Sequence, residues 1–413
     1  MYFAFTPEEL ALKRAVQDFI AQNLNDDIRG ELATAELGFP NGPHSRAFFA
    51  RVVDKGWAGI AYPREYGGQG GTLAAQYIVE EEFLRIGMRI IGGGTGEPAI
   101  LASGSEEQKR TYLPAAIRGD IFFALGFTEP QSGADLAGIR CRAVREGDHF
   151  VVNGQKIFTT AAHFATHIFL MVRTDPASKR QAGLSILLVP IDLPGIVVRP
   201  LMTIQNNPVA PPGTTYGDPK TNEVFFDDVK VPVSCLLGGE GDGWGVAQRG
   251  LNLDRIGAMR YLMSTARDED LVNWLKGESG IAASLRSDER IRDKVAEIWT
   301  EGQVCRLMTM RSLSIAAEGG NFVYEGSAEK VWGPEHGVRA TEAIGQILGP
   351  FGQLLNGSGH AVESGVFAHN LLGAFQSCVN HGSVQIMRDQ VARRGLGMPR
   401  RPSVAEAAAK GLV

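Results

Sequence analysis

The sequence predicts a multidomain α+β protein in which helical regions at both ends flank a small antiparallel β domain. The hydrophobic period changes twice: it is helical in the first third, shortens from about Ile121, and is helical again after residue 243. The 413 residues are 44% hydrophobic and 21% charged, which is typical of a globular chain with two or three cores. We expect domains over 1–120, 121–236 and 237–400, and a tail over 401–413.

The charge and the cysteines limit the classes of function. With 41 Lys and Arg against 46 Asp and Glu, the net charge of −5 argues against a nucleic-acid binder, which usually has a basic stripe. The most apolar segment, 185–198, is interrupted by proline, aspartate and glycine, so we expect no membrane span. The four cysteines form no CxxC pair, and the first residues carry no signal pattern. We therefore expect free thiols, a cytoplasmic protein and no metal centre.

The N-terminal region is predicted to be helical from its first residues. Thr6 is an N-cap candidate, with Pro7 at the first helical position and Glu9 placed to close a capping box. Two more helices are predicted over 77–86 and 105–118, the second beginning with a cap at its serine.

The middle region is predicted to be a sheet. Asn153-Gly154, between 149–152 and 155–159, is the strongest short signal for a two-residue hairpin turn. Short apolar or alternating segments follow at 168–172, 184–189, 196–199 and 223–231. Residues 206–219 are rich in proline and predict an irregular loop.

The C-terminal region begins after a glycine run at 238–243, where helical spacing returns. Long helices are predicted over 244–266, 289–318, 328–347 and 367–394.

Two segments of the middle region combine residues that could bind a ligand. The turn 127–135 contains a hydroxyl, a carboxylate and small residues, and could bring backbone N–H groups to a phosphate or a ring carbonyl; an ordinary Pro/Gly loop is the alternative. On the strand 154–160, Phe158 and Thr160 share one face. An aromatic beside a hydroxyl suits a flat heterocycle, and it is equally normal in a sheet core.

Taken together, these segments resemble the acyl-CoA dehydrogenase family. The Thr-Glu-Pro and Gly-x-Asp pattern matches 128–135, and the Asn-Gly-x-Lys-x-aromatic-x-Thr pattern matches 153–160. Further matches in the same order lie at 104–114, 222–232, 238–245 and 396–399, so the resemblance covers nearly the whole chain.

The resemblance implies an FAD enzyme that dehydrogenates an acyl-CoA thioester and passes electrons to an electron-transfer flavoprotein. It also implies a β-barrel-like middle domain and a C-terminal four-helix bundle. Thr160 would then hydrogen-bond flavin N5, and Phe158, where the family usually has Trp, would cover the ring. Ala134 stands where the family usually has Ser. The other cofactor residues that the resemblance implies are Phe127, Thr128, Gly133, Ser383 and Gln385.

The catalytic base is implied at one of two places. In the C-terminal segment, the usual Glu is replaced by His381, next to Gly382. On the long helix, the alternative position is Asp254, between Leu253 and Arg255. We expect Asp254 to take the α-proton, because a carboxylate in an apolar pocket has a raised pKa. Leu253, Arg255 and Gly382 would line the substrate. His381 is the alternative base, or it could orient Asp254, and a surface ion pair is the alternative role for Asp254.

Two motifs of the family are missing. Residues 271–280 lack its Arg-x-x-Phe-Gly motif, and 345–359 keep glycines without the usual Gln-x-x-Gly-Gly-x-Gly pattern. This resembles subunits of heteromeric steroid side-chain and pimeloyl-type enzymes, so we expect a second dehydrogenase-like subunit in an α2β2 assembly.

The small residues of 91–96 either leave room for a bulky or branched acyl group or simply break a helix. A non-catalytic subunit, or a flavin oxidase or monooxygenase, remain the alternative functions.

Overall fold

The computed structural model describes residues 4–35, 38–90, 94–178, 180–206, 220–254, 258–355 and 358–400. The predicted tail, 401–413, and most of the predicted loop, 207–219, lie outside these residues.

Helices form the N-terminal region, as predicted. Thr6 caps the first helix and Ser105 caps the last, and each capping box is closed by the side chain three residues later. The described helices are α1 (Pro7–Asn23), α2 (Asp26–Thr34), α3 (Pro43–Asp54), α4 (Leu73–Arg85), α5 (Gly96–Ser103) and α6 (Glu106–Ile117). The sequence patterns did not predict α2, α3 or α5.

The middle region is a mixed sheet in which most neighbours are antiparallel. Its strands are β1 (Phe123–Gly126), β2 (Arg142–Glu146), β3 (His149–Thr160), β4 (His167–Arg173), β5 (Leu184–Pro190), β6 (Ile196–Leu201), β7 (Thr221–Pro232) and β8 (Leu236–Leu237). Their order is β6-β7-β3-β2-β4-β5-β8, and β1 joins β4 in parallel. Alternate residues of β4 enter two cores: Phe169 and Met171 pack against the N-terminal helices, and Ile168 and Leu170 pack within the sheet.

The predicted hairpin turn at Asn153-Gly154 is wrong. β3 continues through both residues, and the turn into it lies at Gly147, between β2 and β3. Asn153-Gly154 instead forms a bulge against β7, where Asn153 Oδ1 accepts the Asp228 N–H at 3.0 Å. Glycine is required because its φ is +148° and an added Cβ would lie 2.8 Å from the Cα of Cys141. The dipeptide Asn-Gly is therefore compatible with either a two-residue turn or a bulge.

The C-terminal region is helical. Its described helices are α7 (Gly243–Asp254), α8 (Ala258–Lys276), α9 (Gly280–Ser287), α10 (Glu289–Ala317), α11 (Glu325–Leu348), α12 (Val366–Gly373), α13 (Gln376–Val379) and α14 (Val384–Gln390). α8, α10 and α11 pack against one another and α14 packs on α11, which gives the four-helix bundle. Within the described ranges, no helix is long and apolar enough to cross a membrane. All four cysteines are buried as free thiols, as predicted.

The predicted continuous helix over 367–394 is wrong. The chain is interrupted between α13 and α14, where His381 has a φ of +50° and Gly382 a φ of +90°. A helix cannot pass through two residues in this conformation.

A buried charge cluster joins the N-terminal helices to the bundle. The carboxylate of Glu81, on α4, is fully buried. It accepts hydrogen bonds from Lys13 Nζ at 3.2 Å, Arg85 Nη2 at 3.2 Å and the Tyr261 hydroxyl at 3.1 Å. Arg306 Nε on α10 lies 3.7 Å away. This cluster ties α1, α4, α8 and α10 together.

Candidate functional site

The turn after β1 and the end of β3 lie side by side. The Ile157 N–H donates to the Thr128 carbonyl at 2.9 Å, and Lys156 Nζ donates to the Phe127 carbonyl at 3.1 Å. The structure therefore brings the two sequence-predicted cofactor segments together.

A second bulge in β3 turns Phe158 outward. The register between β3 and β7 shifts between Lys156 and Thr159, and Phe158 has a φ of +56°. Its side chain is 62% exposed, so Phe158 is not the core aromatic that the sequence left open as an alternative. Thr160 is also exposed and Thr159 is buried, so Phe158 and Thr160 face away from the core together. A bulky residue at positive φ is strained, and such strain is concentrated at functional sites.

Gly133 and Ala134 lie at the exposed outer part of the turn. Glu129 and Ser132 exchange two backbone hydrogen bonds at 3.0 Å, which fixes the shape of this turn. Apart from its neighbours in the chain, no described residue would come within 4 Å of a Cβ added at Gly133, so the space in front of it is open. A turn of this kind can present its backbone N–H groups to an anionic or carbonyl oxygen.

A buried ion pair lies beneath this surface, and the sequence analysis assigned it no role. Lys156 Nζ lies 2.8 Å from Glu129 Oε1, and both side chains are almost completely buried. Burial raises the pKa of the Glu129 carboxyl, but Lys156 and the N–H groups of Arg140 and Cys141 outweigh it and lower that pKa overall. Both residues belong to the matched motifs. A lysine among buried strand positions was the sequence signal that could have identified this ion pair.

The C-terminal segment forms a second group of predicted residues. His381 and Gln385 are exposed, and Gly382 forms the turn between them. The hydroxyl of Ser383 caps α14 by accepting the Ile386 N–H at 3.4 Å.

A buried lysine that the sequence analysis did not identify holds this segment. Lys330, on α11, donates to the Ser377 carbonyl and to Asn380 Oδ1, the latter at 3.2 Å. The strained turn at His381 follows directly after this anchor.

Lys220 lies at the junction between the sheet and the bundle, at the strand end that carries Thr160. The Ala161 N–H donates to the Lys220 carbonyl at 2.8 Å, which places Lys220 beside Thr160. Burial, with the nearby charges of Lys220 and Arg267, lowers the pKa of His369 on α12 to about 4. α12, which precedes His381 in the chain, is therefore within electrostatic range of Lys220.

The predicted base lies at the end of α7. Gly250, one turn earlier, packs on the start of α5: an added Cβ would lie 2.5 Å from the Thr95 carbonyl oxygen. Asp254 is the last residue of α7. The side chains of Leu253 and Asp254, and all of Arg255, lie outside the described part of the chain.

The start of α5 is the other predicted substrate region. Residues 91–93 lie outside the described part, and Gly94 has a φ of +73° before the helix begins at Gly96. Thr95 is completely buried, and its hydroxyl has no hydrogen-bond partner among the described residues.

Comparisons with known proteins identify all three regions. Profiles of the acyl-CoA dehydrogenase N-terminal, middle and C-terminal domains match residues 6–120, 124–229 and 241–396. Acyl-CoA dehydrogenase FadE29 of Mycobacterium tuberculosis is 32% identical, over 97% of this chain and 100% of its own length.

Two solved assemblies are also similar over almost the whole chain. The "Tcur3481-Tcur3483 steroid ACAD" is 29% identical with a TM-score of 0.82, covering 97% of this chain and 100% of that one. The ChsE4-ChsE5 complex from Mycobacterium tuberculosis is 28% identical with a TM-score of 0.82 and the same two coverages.

Proposed function

This chain belongs to the acyl-CoA dehydrogenase family, and from that premise we propose that it performs the FAD-dependent α,β-dehydrogenation of an acyl-CoA thioester to the 2-enoyl-CoA. The observation that carries the proposal is the contact between the turn 127–135 and the bulged end of β3. It brings the exposed Phe158 ring and the exposed Thr160 beside the turn that carries the exposed residues Gly133 and Ala134. This donor set fits the isoalloxazine ring of FAD.

The residues of this surface have separable roles. The hydroxyl of Thr160 would hydrogen-bond flavin N5, and the Phe158 ring would cover the flavin ring. Phe127, Thr128 and the backbone of Gly133 and Ala134 would hold one side of the flavin. FAD, when bound, supplies the acceptor for the hydride from the β-carbon of the substrate. The second group, with Ser383 and Gln385, would complete the cofactor site from the bundle.

Asp254 is the proposed base that takes the α-proton of the thioester. It is carried on α7, whose preceding turn packs on the start of α5 at Thr95. A carboxylate in a closed, apolar site has a pKa raised toward neutrality, which favours proton abstraction at pH 7. His381 is the alternative, because a neutral imidazole can accept a proton. Leu253, Arg255 and Gly382 are proposed to line the thioester.

The chain is proposed to act with a second dehydrogenase-like subunit in an α2β2 assembly. The missing Arg-x-x-Phe-Gly motif supports this, as does the likeness to structures whose names give two chains. The segment of α12 and α13 also exposes large apolar side chains, as subunit interfaces do. These are Leu371, Leu372, Phe375 and Val379, of which Phe375 is 67% exposed.

The substrate and the cellular setting are proposed from the same likenesses. A steroid enzyme among the similar structures and the small residues at the start of α5 favour a bulky or branched acyl group. An electron-transfer flavoprotein is the proposed electron acceptor. The four free thiols support a cytoplasmic location.

The test is anaerobic mixing of the flavin-loaded assembly with steroid and branched acyl-CoA thioesters. We expect loss of the visible flavin absorbance and one 2-enoyl-CoA per flavin. No bleaching and no enoyl product with any thioester would contradict the proposal. Rapid return of the absorbance in O₂ would identify an oxidase instead.

Asp254→Asn and His381→Gln separate the two possible bases. We expect Asp254→Asn to slow bleaching by about 10²–10⁴-fold, with a much smaller effect of His381→Gln. The reverse result would assign the base to His381. Unchanged rates in both variants would favour a non-catalytic role for this chain.

A further inference from the structure

Lys156 is completely buried at a position where the strand is about to change direction. It pairs with Val224 of β7 as the last regular partner before the bulge that contains Phe158. A fully buried lysine is uncommon, because removing the ammonium from water is costly unless a partner compensates. Its burial two residues before a ring that is 62% exposed therefore needs an explanation.

The partner is a carboxylate on the neighbouring turn, and the contacts of Lys156 join that turn to β3. Lys156 Nζ contacts Glu129 Oε1 at 2.8 Å and the Phe127 carbonyl at 3.1 Å. Glu129 in turn accepts the Arg140 N–H at 2.6 Å and the Cys141 N–H at 2.9 Å. One charge pair thus ties β3 to the start of the turn 127–135 and to the backbone at Arg140 and Cys141, just before β2.

Because of the bulge, the Glu129–Lys156 pair can affect the placement of Phe158. Without a register shift, residues 156 and 158 would point to the same side of β3, and Phe158 would follow Lys156 into the interior. The shift turns the ring outward on a backbone at positive φ, which persists only where surrounding contacts hold it. Two described hydrogen bonds hold this part of β3 against the turn 127–135: Lys156 donates to the Phe127 carbonyl, and Ile157 donates to the Thr128 carbonyl.

We propose that Glu129 and Lys156 are positioning residues, which set the placement of Phe158 relative to Thr128 and so determine how the flavin ring is held. This inference rests on the proposed flavin site and extends it beyond the residues that touch the ring. Neither side chain reaches the surface, so both act through the backbone that they hold at Phe127, Arg140 and Cys141 rather than by touching the ring.

The test removes both charges together, since removing one would leave an unpaired buried ion. Glu129→Gln with Lys156→Met keeps the side-chain sizes similar. The matched control is Asp268→Asn with His336→Gln, which neutralises a buried pair between α8 and α11. In wild type, His336 Nε2 lies 2.8 Å from Asp268 Oδ2. Each full chain is purified with its partner subunit if flavin binding requires one. FAD affinity, the visible circular dichroism of the bound flavin and the melting temperature without FAD are measured.

We expect the Glu129/Lys156 variant to bind FAD about tenfold more weakly, the loss of one well-placed contact, and to change the flavin dichroism. The control should keep wild-type FAD affinity and dichroism, even if both variants lose similar thermal stability. A Glu129/Lys156 variant with wild-type FAD affinity and dichroism would overturn the inference.

A milder variant covers the case in which the double variant does not fold. Glu129→Asp keeps both charges and withdraws the carboxylate by one methylene, so it should also weaken FAD binding and alter the dichroism. Wild-type behaviour of this variant would equally overturn the inference. If the wild-type assembly itself binds no FAD, the proposed function fails rather than the role of the pair.

Discussion

Glu81→Gln is expected to loosen the joint between the N-terminal helices and the bundle. The buried cluster around Glu81 contains three cations, Lys13, Arg85 and Arg306, and three carboxylates, since Glu82 and Glu269 complete it. Burial raises the pKa of Glu81, but the three cations outweigh it and lower that pKa overall. The carboxylate is therefore charged at pH 7, and its amide replacement leaves one cation in excess.

The magnitude follows from the burial of the partners. Losing one member of a buried ion pair costs about 3–5 kcal/mol. The Lys13, Arg85 and Arg306 side chains are 23%, 31% and 27% exposed, so water offsets part of the loss and we expect about 2–4 kcal/mol. For a cooperative unit of about 150–250 residues, this corresponds to a fall in melting temperature of roughly 5–15 °C.

The assay is thermal unfolding, combined with hydrogen exchange of α1 and α8. Glu82→Gln is the matched control, because Glu82 bonds only to Lys13 and Gln17 on α1 among the described residues. It should cost about 1 kcal/mol and leave exchange in α8 unchanged. Because the pKa of Glu81 is lowered, its stabilisation is present above pH 4.5 and lost as the pH falls through the folded-state value. Equal effects of the two variants, or a difference that persists in acid, would refute this reasoning.

Three further predictions concern single side chains. Ser105→Ala removes the cap of α6 and should cost about 1 kcal/mol in urea unfolding, whereas an unchanged midpoint would contradict the capping role. Burial opposes the charged form of His336, but Asp268 and Glu301 outweigh it and raise its pKa above 6.5. The free energy of unfolding of wild type should thus exceed that of His336→Gln by its full amount below pH 6.5, and the difference should shrink as the pH rises through the raised pKa of His336. A difference that stays constant with pH would disprove this prediction. The pKa of His369 is lowered to about 4, so wild type should lose stability between pH 6.5 and 4, and His369→Gln should lose less over the same titration; parallel curves would count against this.

Local signals in the sequence predicted the elements whose geometry is set by neighbouring residues. The capping boxes at Thr6 and Ser105 depend on residues three positions apart, and both formed as expected. The strands β4 to β7 were predicted for the same reason, because alternation or a short apolar run is visible within one segment.

Features that depend on distant partners were not predictable from these signals. Asn153-Gly154 forms a bulge because Asp228 and Cys141 approach it, and neither approach is encoded locally. The pair Glu129–Lys156 joins residues 27 positions apart, and the anchor from Lys330 to Asn380 joins residues 50 apart. The candidate site was therefore predicted as a set of segments, but the buried groups that hold those segments required the structure.

The most direct test of the account is the native mass and visible spectrum of the chain, purified alone and co-expressed with a second dehydrogenase-like subunit. We predict a colourless chain that becomes yellow on co-expression, as an α2β2 assembly with one FAD for each pair of unlike chains. A yellow homotetramer with one FAD per chain would contradict the heteromeric assembly, and a colourless co-expressed assembly would contradict the flavin site itself.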